Sequence, residues 1–353
     1  MKILDRYIGK FITTGVLSVL VVLSALDALI NFTSESDYIG QAQYTLWHAI
    51  GYVLLKMPQQ MYELFPMIAL LGTMLGLGTL ANNSELIVIR AAGVTTLQLV
   101  ISIMKTALVL VLVALFVGEV LAPPALQYAK LKRVKVMASE VSLNTDYGLW
   151  ARDGETFINV RRVETDGRLT GITLYRFSAL HELKEITRAG HAKHDGNSWY
   201  LYKVDITDLE KNLAVRKLKS MQWSTLLSPD LVNVVSVSPE NLAIWNLQSY
   251  IGYLEENNLD TSLYKLSFWS KVFMPVTIAA MVFIAIPFVL GSLRHAGIGQ
   301  RILTGFLGGL VFYLVNRLSG QMGIVYGIPP FISAGAPTLL VLIFSLFFMR
   351  RVK

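Results

Sequence analysis

Few residues in this chain have types and spacings suited to chemistry. The most informative run is Ala81-Asn82-Asn83-Ser84-Glu85-Leu86-Ile87-Val88-Ile89-Arg90-Ala91-Ala92-Gly93, a short link between two long apolar stretches. Asn83 or Ser84 can cap a helix there, Glu85 suits its positive N-terminus, and Gly93 can stop it. Leu86–Ile89 makes that helix apolar nearly all round. Outside a bilayer, such a helix takes either the lipid interface or a groove on another protein. In the second case Glu85 is a charge partner for a basic residue on that protein. A second group is Lys130, Lys132, Arg133 and Lys135, in which Lys130 and Arg133 share a helical face at i, i+3. It is either a solvated stalk or a receiver of phosphate groups, whose usual partners are Lys and Arg.

Other chemistry is excluded or weak. There is no G-x-x-x-x-G-K-[ST], G-x-S-x-G or H-E-x-x-H stretch, so a nucleotide-hydrolysing loop and the common hydrolase sites are absent from the sequence. Without cysteine, zinc–thiolate sites and disulfides are excluded. His191, His194 and Asp195 read as the end of a strand beside a turn, with no metal site expected. Ionisable residues inside the apolar stretches are Asp27, Lys56, Glu63, Lys105, Glu119, Lys271 and Arg317. Lys56, Glu119 and Lys271 lie near span ends and read as snorkelling side chains. Glu63 and Arg317 are the better candidates for polar groups facing a cavity.

The elements that must position these residues follow from hydropathy. Three apolar spans, roughly Phe11–Phe32, Tyr52–Leu80 and Leu97–Leu121, precede about 140 mixed residues. Three more, roughly Phe268–Leu290, Ile302–Gln321 and Phe331–Met349, follow them. Each is near or above the ~20 apolar residues that cross a bilayer core. With 54% hydrophobic residues and a mean hydropathy of +0.52, the chain reads as a polytopic α-helical membrane protein, six helices in a 3+3 order. The expected domains are 1–122, carrying a short helix at about 82–92 in the link between its second and third spans, then an extramembrane insert at 123–265, then 266–353.

The formal charge of +7 invites a nucleic-acid reading, but 18 of the 31 Lys and Arg residues and 17 of the 24 acids fall in Pro123–Lys265. That near balance argues against a nucleic-acid partner. Lys2, Arg6, Lys10, Arg90, Arg294, Arg301, Arg350, Arg351 and Lys353 lie on one side of the spans. The short links Thr33–Tyr44 and Met322–Pro330 carry no base. The positive-inside rule therefore puts both termini in the cytoplasm and the insert outside. A cleaved leader is not expected, because the first apolar run is too long and no sharp A-x-A site follows. Pro58, Pro66, Pro275 and Pro287 should bend their spans, and Gly72-x-x-x-Gly76 with Gly78 marks close helix packing.

From Gly148 to about Trp223 the insert reads as strands: Thr156–Val163, Leu169–Phe177, Glu185–His194, Trp199–Ile206 and Leu213–Trp223. Asp153-Gly154, Asp166-Gly167 and Asp195-Gly196 supply the turns. Tyr200, Tyr202, Val204 and Ile206 are expected on one face, with Lys203 and Asp205 on the other. Strands at this spacing suggest an all-β sandwich, jelly roll or open barrel. Ser238-Pro239-Glu240 reads as a helix start, with Trp245 and Tyr250 suited to a membrane surface.

Several motifs together resemble one family. They are Leu4-Asp5-Arg6-Tyr7-Ile8-Gly9-Lys10, Phe65-Pro66-Met67, Leu70-Leu71-Gly72, Leu75-Gly76-Leu77-Gly78, Ser84-Glu85-Leu86 and Val325-Tyr326-Gly327-Ile328-Pro329-Pro330. The chain is similar throughout its length to the lipopolysaccharide export permeases of the LptF/LptG family. The resemblance implies a non-catalytic subunit of an ABC transporter in a Gram-negative inner membrane. It would pair with a second unlike permease around an apolar cavity, above a cytoplasmic LptB-like ATPase dimer. ATP and Mg would be bound by that dimer and no cofactor by this chain. The insert would be a periplasmic β-jelly roll, part of a bridge through LptC-like and LptA-like proteins that carries lipopolysaccharide onward.

On the same resemblance, Glu85, Leu86, Ile89 and Arg90 would couple to the ATPase, and Lys130 and Arg133 would meet lipid phosphates. Phe32, Leu64, Phe65, Pro66, Leu310 and Tyr313 would line the acyl-chain cavity. One departure stands out. Several family members carry lysines at the outer end of the first span, where this chain has Asn31, Ser34, Glu35 and Asp37. The phosphates must then be held by the partner subunit and Lys130/Arg133, or the lipid sits differently.

Two other classes compete. A proton-coupled secondary transporter would use Asp27, Glu63 and Arg317 as a relay, but the two triplets show no internal repeat. Another ABC-type lipid or lipoprotein exporter would not share the motif set.

Overall fold

A computed structural model describes residues 3–41, 43–137, 149–163, 168–178, 182–195, 198–209, 214–223, 238–292 and 297–350. Lys2, Arg294, Arg351, Lys353, Leu213, Gly196 and the Asp166-Gly167 turn lie outside them. The chain divides into two units: Met1–Ile39 with Leu46–Ala129 and Ser262–Lys353, and Gly40–Thr45 with Lys130–Thr261.

The first unit is helical. In order it contains α1 (Ile3–Ser36), α2 (Leu46–Asn82), α3 (Glu85–Ala91), α4 (Thr96–Leu115), a π-helical turn at Phe116–Leu121 and the start of α5 (Ala122–Met137). Three further helices lie near the C-terminus. Among the described residues, six helices are long and apolar enough to cross a membrane: Ile3–Ser36, Leu46–Asn82, Thr96–Arg133, Ser262–Gly291, Gly299–Val325 and Pro330–Met349. Their apolar residues recur on all faces, which a lipid surround demands and a water-facing helix would forbid.

The core forms around α2. Ile8, Ile12, Val16 and Val19 make one stripe of α1, and Leu99, Ile103, Ala107 and Leu110 make one stripe of α4. Both pack with the inner run Phe65–Leu80 of α2. Gly15, Gly72 and Gly76 let α1 and α2 touch backbone to backbone. A Cβ on Gly15 would overlap the Gly72 carbonyl, one on Gly72 would overlap Val16 Cα, and one on Gly76 would stand 2.5 Å from the Phe11 carbonyl. The close packing expected of this glycine run is thus present. Helical structure runs unbroken through Pro58, Pro66 and Pro275.

In the second unit six antiparallel strands form one sheet in sequence order: β1 (Leu149–Asp153), β2 (Thr156–Val163), β3 (Leu169–Phe177), β4 (Leu183–His194), β5 (Trp199–Asp208) and β6 (Ala214–Trp223). The short strand β1 was not anticipated. It pairs with β2 through a two-residue turn, with Gly154 at φ +59° in its first central position. That is the place where a II′ hairpin needs glycine.

The expected alternation along β5 fails in a specific way. Trp199 and Leu201 are buried on one side of Lys203, and Val204 and Ile206 on the other, while Tyr200 and Tyr202 are half-buried. Lys203 has φ +54° and resets the alternation by one residue. The pairing puts Gly190 opposite Lys203, and Gly171, at φ +66°, opposite Gly190. Burial steps from Leu169 to Ile172 in β3 and from Ala189 to Ala192 in β4 in the same row. One line of irregular residues therefore crosses three strands and turns the same apolar set inward on both sides of it.

The helix start expected at Ser238 is also displaced. Pro239–Asn241 forms only a 3₁₀ turn, Ser238 makes no side-chain cap, and α6 runs Ile244–Glu256 from an N-cap at Ala243. Tyr250 is buried with Leu247, Tyr253 and Leu254, whereas Trp245 is exposed. The remaining helices, in the first unit, are α7 (Ser262–Pro287, followed by a π turn at Phe288–Ser292), α8 (Ile298–Val325) and α9 (Pro330–Met349).

Because the α1–α2 crossing has no room for a methyl group, Gly72→Ala should destabilise the protein by about 1–3 kcal/mol. The check is the thermal unfolding midpoint of the detergent-solubilised protein, which should fall relative to the parent.

Candidate functional site

The link between α2 and α4 folds as the seven-residue α3. Its start differs from the capping expected of Ser84, which lies in the left-handed region at φ 61° and makes no side-chain cap. The turn is tight because Ser84 N–H reaches back to the Ala81 carbonyl at 3.0 Å. Glu85 is held instead by two donors: Tyr7 from α1, whose hydroxyl lies 2.7 Å from Oε2, and Asn83, whose Nδ2 lies 3.1 Å from Oε1. At the other end Gly93, φ +89°, accepts the conformation that stops the helix. Thr95 and Gln98 then form a reciprocal capping box that starts α4.

The two sides of α3 are unlike. Leu86 is 5% exposed and joins the helical core, with Ile89 packed against it. Ile87 and Val88 are 49% and 66% exposed, and Arg90 is exposed beyond them. The outward surface therefore consists of Ile87, Val88 and Arg90 beside a half-buried, hydrogen-bonded Glu85. Ile87 and Val88 had no separate signal in the sequence, since four consecutive apolar residues do not say which face is covered.

Lys130 and Arg133, one turn apart on α5, are both half-buried, while Leu131 and Lys132 between them are exposed. Among the residues expected to line an acyl-chain cavity, Phe65 and Pro66 are buried within the bundle. Phe32, Leu64 and Tyr313 are half-buried, and Leu310 is exposed. Leu310 and Tyr313 share a face of α8, where Arg317 Nη1 donates to the Tyr313 hydroxyl at 3.0 Å. Glu63 is exposed and accepts from Gln59 Nε2 at 2.7 Å.

Two polar clusters correct the snorkelling expected of Lys56, Glu119 and Lys271. Lys56 Nζ donates to Asn31 Oδ1 at 2.5 Å, and Asn31 Nδ2 and Gln60 Nε2 donate to Asp27 at 2.8 and 3.3 Å. This set ties the C-terminal part of α1 to the N-terminal half of α2. Lys271 and Glu119, 7% and 9% exposed, form an ion pair at 2.7 Å. The Lys271 ammonium also lies 5.2 Å from the centre of the Tyr62 ring, so α2, α7 and the π turn meet at one buried charge pair.

The π turn explains how Glu119 points inward. Pro123 and Pro124 lack the N–H groups that would bond the preceding turn, and Ala122 N–H bonds the Val117 carbonyl instead. Gly118 then lies against the Tyr62 ring, leaving no space for a Cβ. Snorkelling fails because each charged group finds a partner at its own depth on a neighbouring helix, an opposite charge for Lys271 and Glu119 and an amide oxygen for Lys56.

In the second unit, His191 stacks on Tyr202 with ring centres 4.9 Å apart, and His194 meets Trp199 edge-on at 5.1 Å. Among the described residues, no group of three or more His, Cys, Asp or Glu is placed to hold a metal ion.

Comparison with known proteins places this geometry in context. The family model described as lipopolysaccharide export system permease LptF/LptG matches residues 6–351. The lipopolysaccharide export system permease protein LptG of Escherichia coli (strain K12) is 39% identical over 353 residues, covering 99% of this chain and 98% of the relative. The protein of the same name from Haemophilus influenzae (strain ATCC 51907 / DSM 11121 / KW20 / Rd) is 37% identical over 351 residues, covering 99% and 98%.

The buried pair predicts a non-additive mutant series. Lys271→Met alone strands the Glu119 carboxylate and should cost about 3–5 kcal/mol, whereas the Glu119→Gln/Lys271→Met double variant should recover most of it. Thermal unfolding of the single and double variants in one detergent checks this.

Proposed function

This chain belongs to the lipopolysaccharide export system permease LptF/LptG family, and we propose that it lifts lipopolysaccharide from the outer leaflet of the inner membrane, driven by ATP hydrolysed in another subunit. It is a permease subunit of a lipopolysaccharide export system, and a multi-pass protein of the inner membrane. Its place in that machine is our reading. Both termini and α3 face the cytoplasm, the strand-rich unit lies in the periplasm as a jelly roll, and three spans flank it on each side in sequence. A second, unlike permease completes the cavity, and LptC-like and LptA-like proteins extend the path.

The observation that carries the coupling half of this reading is α3. A helix of seven residues with Ile87 and Val88 outward and a fixed carboxylate beside them suits a groove on a soluble partner. We assign that partner as an ATPase dimer holding ATP and Mg, because this sequence has no nucleotide-binding loop. External energy is needed on physical grounds. Several acyl chains at about 0.8 kcal/mol per buried CH₂ make spontaneous release from a bilayer prohibitively slow. An apolar cavity lowers that cost while it is open, and its collapse expels the lipid. Leu64, Leu310 and Tyr313 are the wall residues on this reading, and Lys130 with Arg133 meets the phosphates at the outer mouth.

Two experiments test it. Glu85→Lys should reduce co-purification of the ATPase at least ten-fold, and normal co-purification with normal export would overturn the docking assignment. The Lys130→Glu/Arg133→Glu variant should weaken photo-crosslinking of lipopolysaccharide near α5. Crosslinking at the parental level would return those residues to a solvated stalk.

A further inference from the structure

Arg301 counted in the sequence only as one more base on the cytoplasmic side. In the structure it is 1% exposed, among the largest fully buried side chains, and its Nη1 donates to the Gly78 carbonyl of α2 at 2.6 Å. It lies in the first turn of α8, where a positive charge opposes that helix's own dipole. The Gly78 carbonyl belongs to the last turns of α2, which ends at Asn82, and there a cation is favoured. The carbonyl end of α2 therefore favours the charge that the N-terminal turn of α8 opposes. Gly78 must be glycine for this approach, since a Cβ would stand 2.8 Å from Nη1 and 2.9 Å from Cδ.

The contact continues as a zipper. Gly305, one turn on, faces Met74 and Leu71 of α2, and Gly309, two turns on, faces Met67, with 2.8 and 2.7 Å available to a Cβ. The next turn of α8 carries Leu310 and Tyr313. Towards its other end α8 is held by different helices: Ser319 Oγ donates to the Ser333 carbonyl of α9, and Gly320 faces Leu266 of α7. The half of α8 that begins at Arg301 thus runs along α2, and α2 leads through Asn83 and Ser84 directly into α3.

We infer that Arg301 is a positioning residue that latches α8 to the cytoplasmic end of α2, so that movement of α3 is passed to the cavity-wall turn at Leu310 and Tyr313. This rests on the reading of α3 as the ATPase contact and names the route by which that contact reaches the lipid. A leucine or methionine would fill the α2–α8 space at lower desolvation cost. A guanidinium adds a directed hydrogen bond that fixes the two helices in one register.

The test uses the assembled transporter in proteoliposomes and reads lipopolysaccharide released per ATP hydrolysed. Arg301→Met should leave ATPase co-purification and basal ATP hydrolysis within two-fold of the parent, while release per ATP falls at least ten-fold. Arg301→Lys, which can still donate to the Gly78 carbonyl, should recover part of the loss. Gly78→Ala, which displaces the guanidinium without removing it, should uncouple in the same direction. The chain has no native cysteine, so a Met74→Cys/Gly305→Cys disulfide placed in Arg301→Met should restore release per ATP when oxidised and lose it when reduced.

Unchanged release per ATP in Arg301→Met overturns the latch. So does an equal fall in assembly, hydrolysis and release for Met and Lys alike, which would mark a folding role. Glu85→Lys run alongside separates the premises. If it still binds the ATPase, the reading of α3 falls. If it loses the ATPase while Arg301→Met keeps parental coupling, only the latch falls.

Discussion

Backbone contact between α1 and α2 at Gly15, Gly72 and Gly76 is the constraint on which the helical unit depends. Apolar side chains gain nothing by leaving lipid for protein, so the hydrophobic effect that assembles soluble bundles is missing between spans. What remains is dispersion at short range, which small residues make available by removing the side chains that would hold two helices apart. The central span α2 shows the result. Its most apolar window is 78% buried, against 22% for α1 and 17% for α8. Glycines on α8 repeat the device against Met67 and Met74, so one buried helix is gripped closely on two sides.

Polar groups inside such a bundle act as directional clamps rather than as general glue. Lys271 with Glu119 fixes α7 to the π turn beside α2, Lys56 with Asn31 fixes the C-terminal part of α1 to the N-terminal half of α2, and Lys105 with Asp5 fixes α4 to the start of α1 at 2.8 Å. Each joins helices distant in sequence, and each would cost free energy if one partner were removed. Tyr7 extends the pattern to α3, where its hydroxyl holds the Glu85 carboxylate beside the exposed Ile87 and Val88. Large apolar residues remain exposed on α1 and α8, on the faces that carry no such clamp.

The sheet unit obeys a different rule. A flat strand has a period of two, and a single irregular residue moves every later side chain to the other face. Here the irregularity falls in register across β3, β4 and β5, at Gly171, Gly190 and Lys203, so the apolar set stays together on one face. Lys203 supports a left-handed conformation that glycine would adopt more cheaply, which places the strain at a residue whose side chain is free to be long and polar.

Composition and period alone determined the six spans, the strand-rich insert, the glycine crossing and the existence of a short apolar link at Glu85. These depend on local hydropathy and on backbone rules that neighbouring residues set among themselves. The motif set likewise pointed to the family before any coordinates. Tertiary structure decided the rest: which side of α3 is covered, that Ser84 turns instead of capping, that Lys271 meets Glu119 rather than the interface, and that Arg301 is buried on α2 and not at the surface. Apart from the Ser84 turn, which bonds the nearby Ala81 carbonyl, these turn on partners 78 to 223 residues away along the chain or on another helix's depth and rotation. Hydropathy reports how much a side chain would avoid water, but not which opposite charge, carbonyl or glycine stands across the gap to receive it.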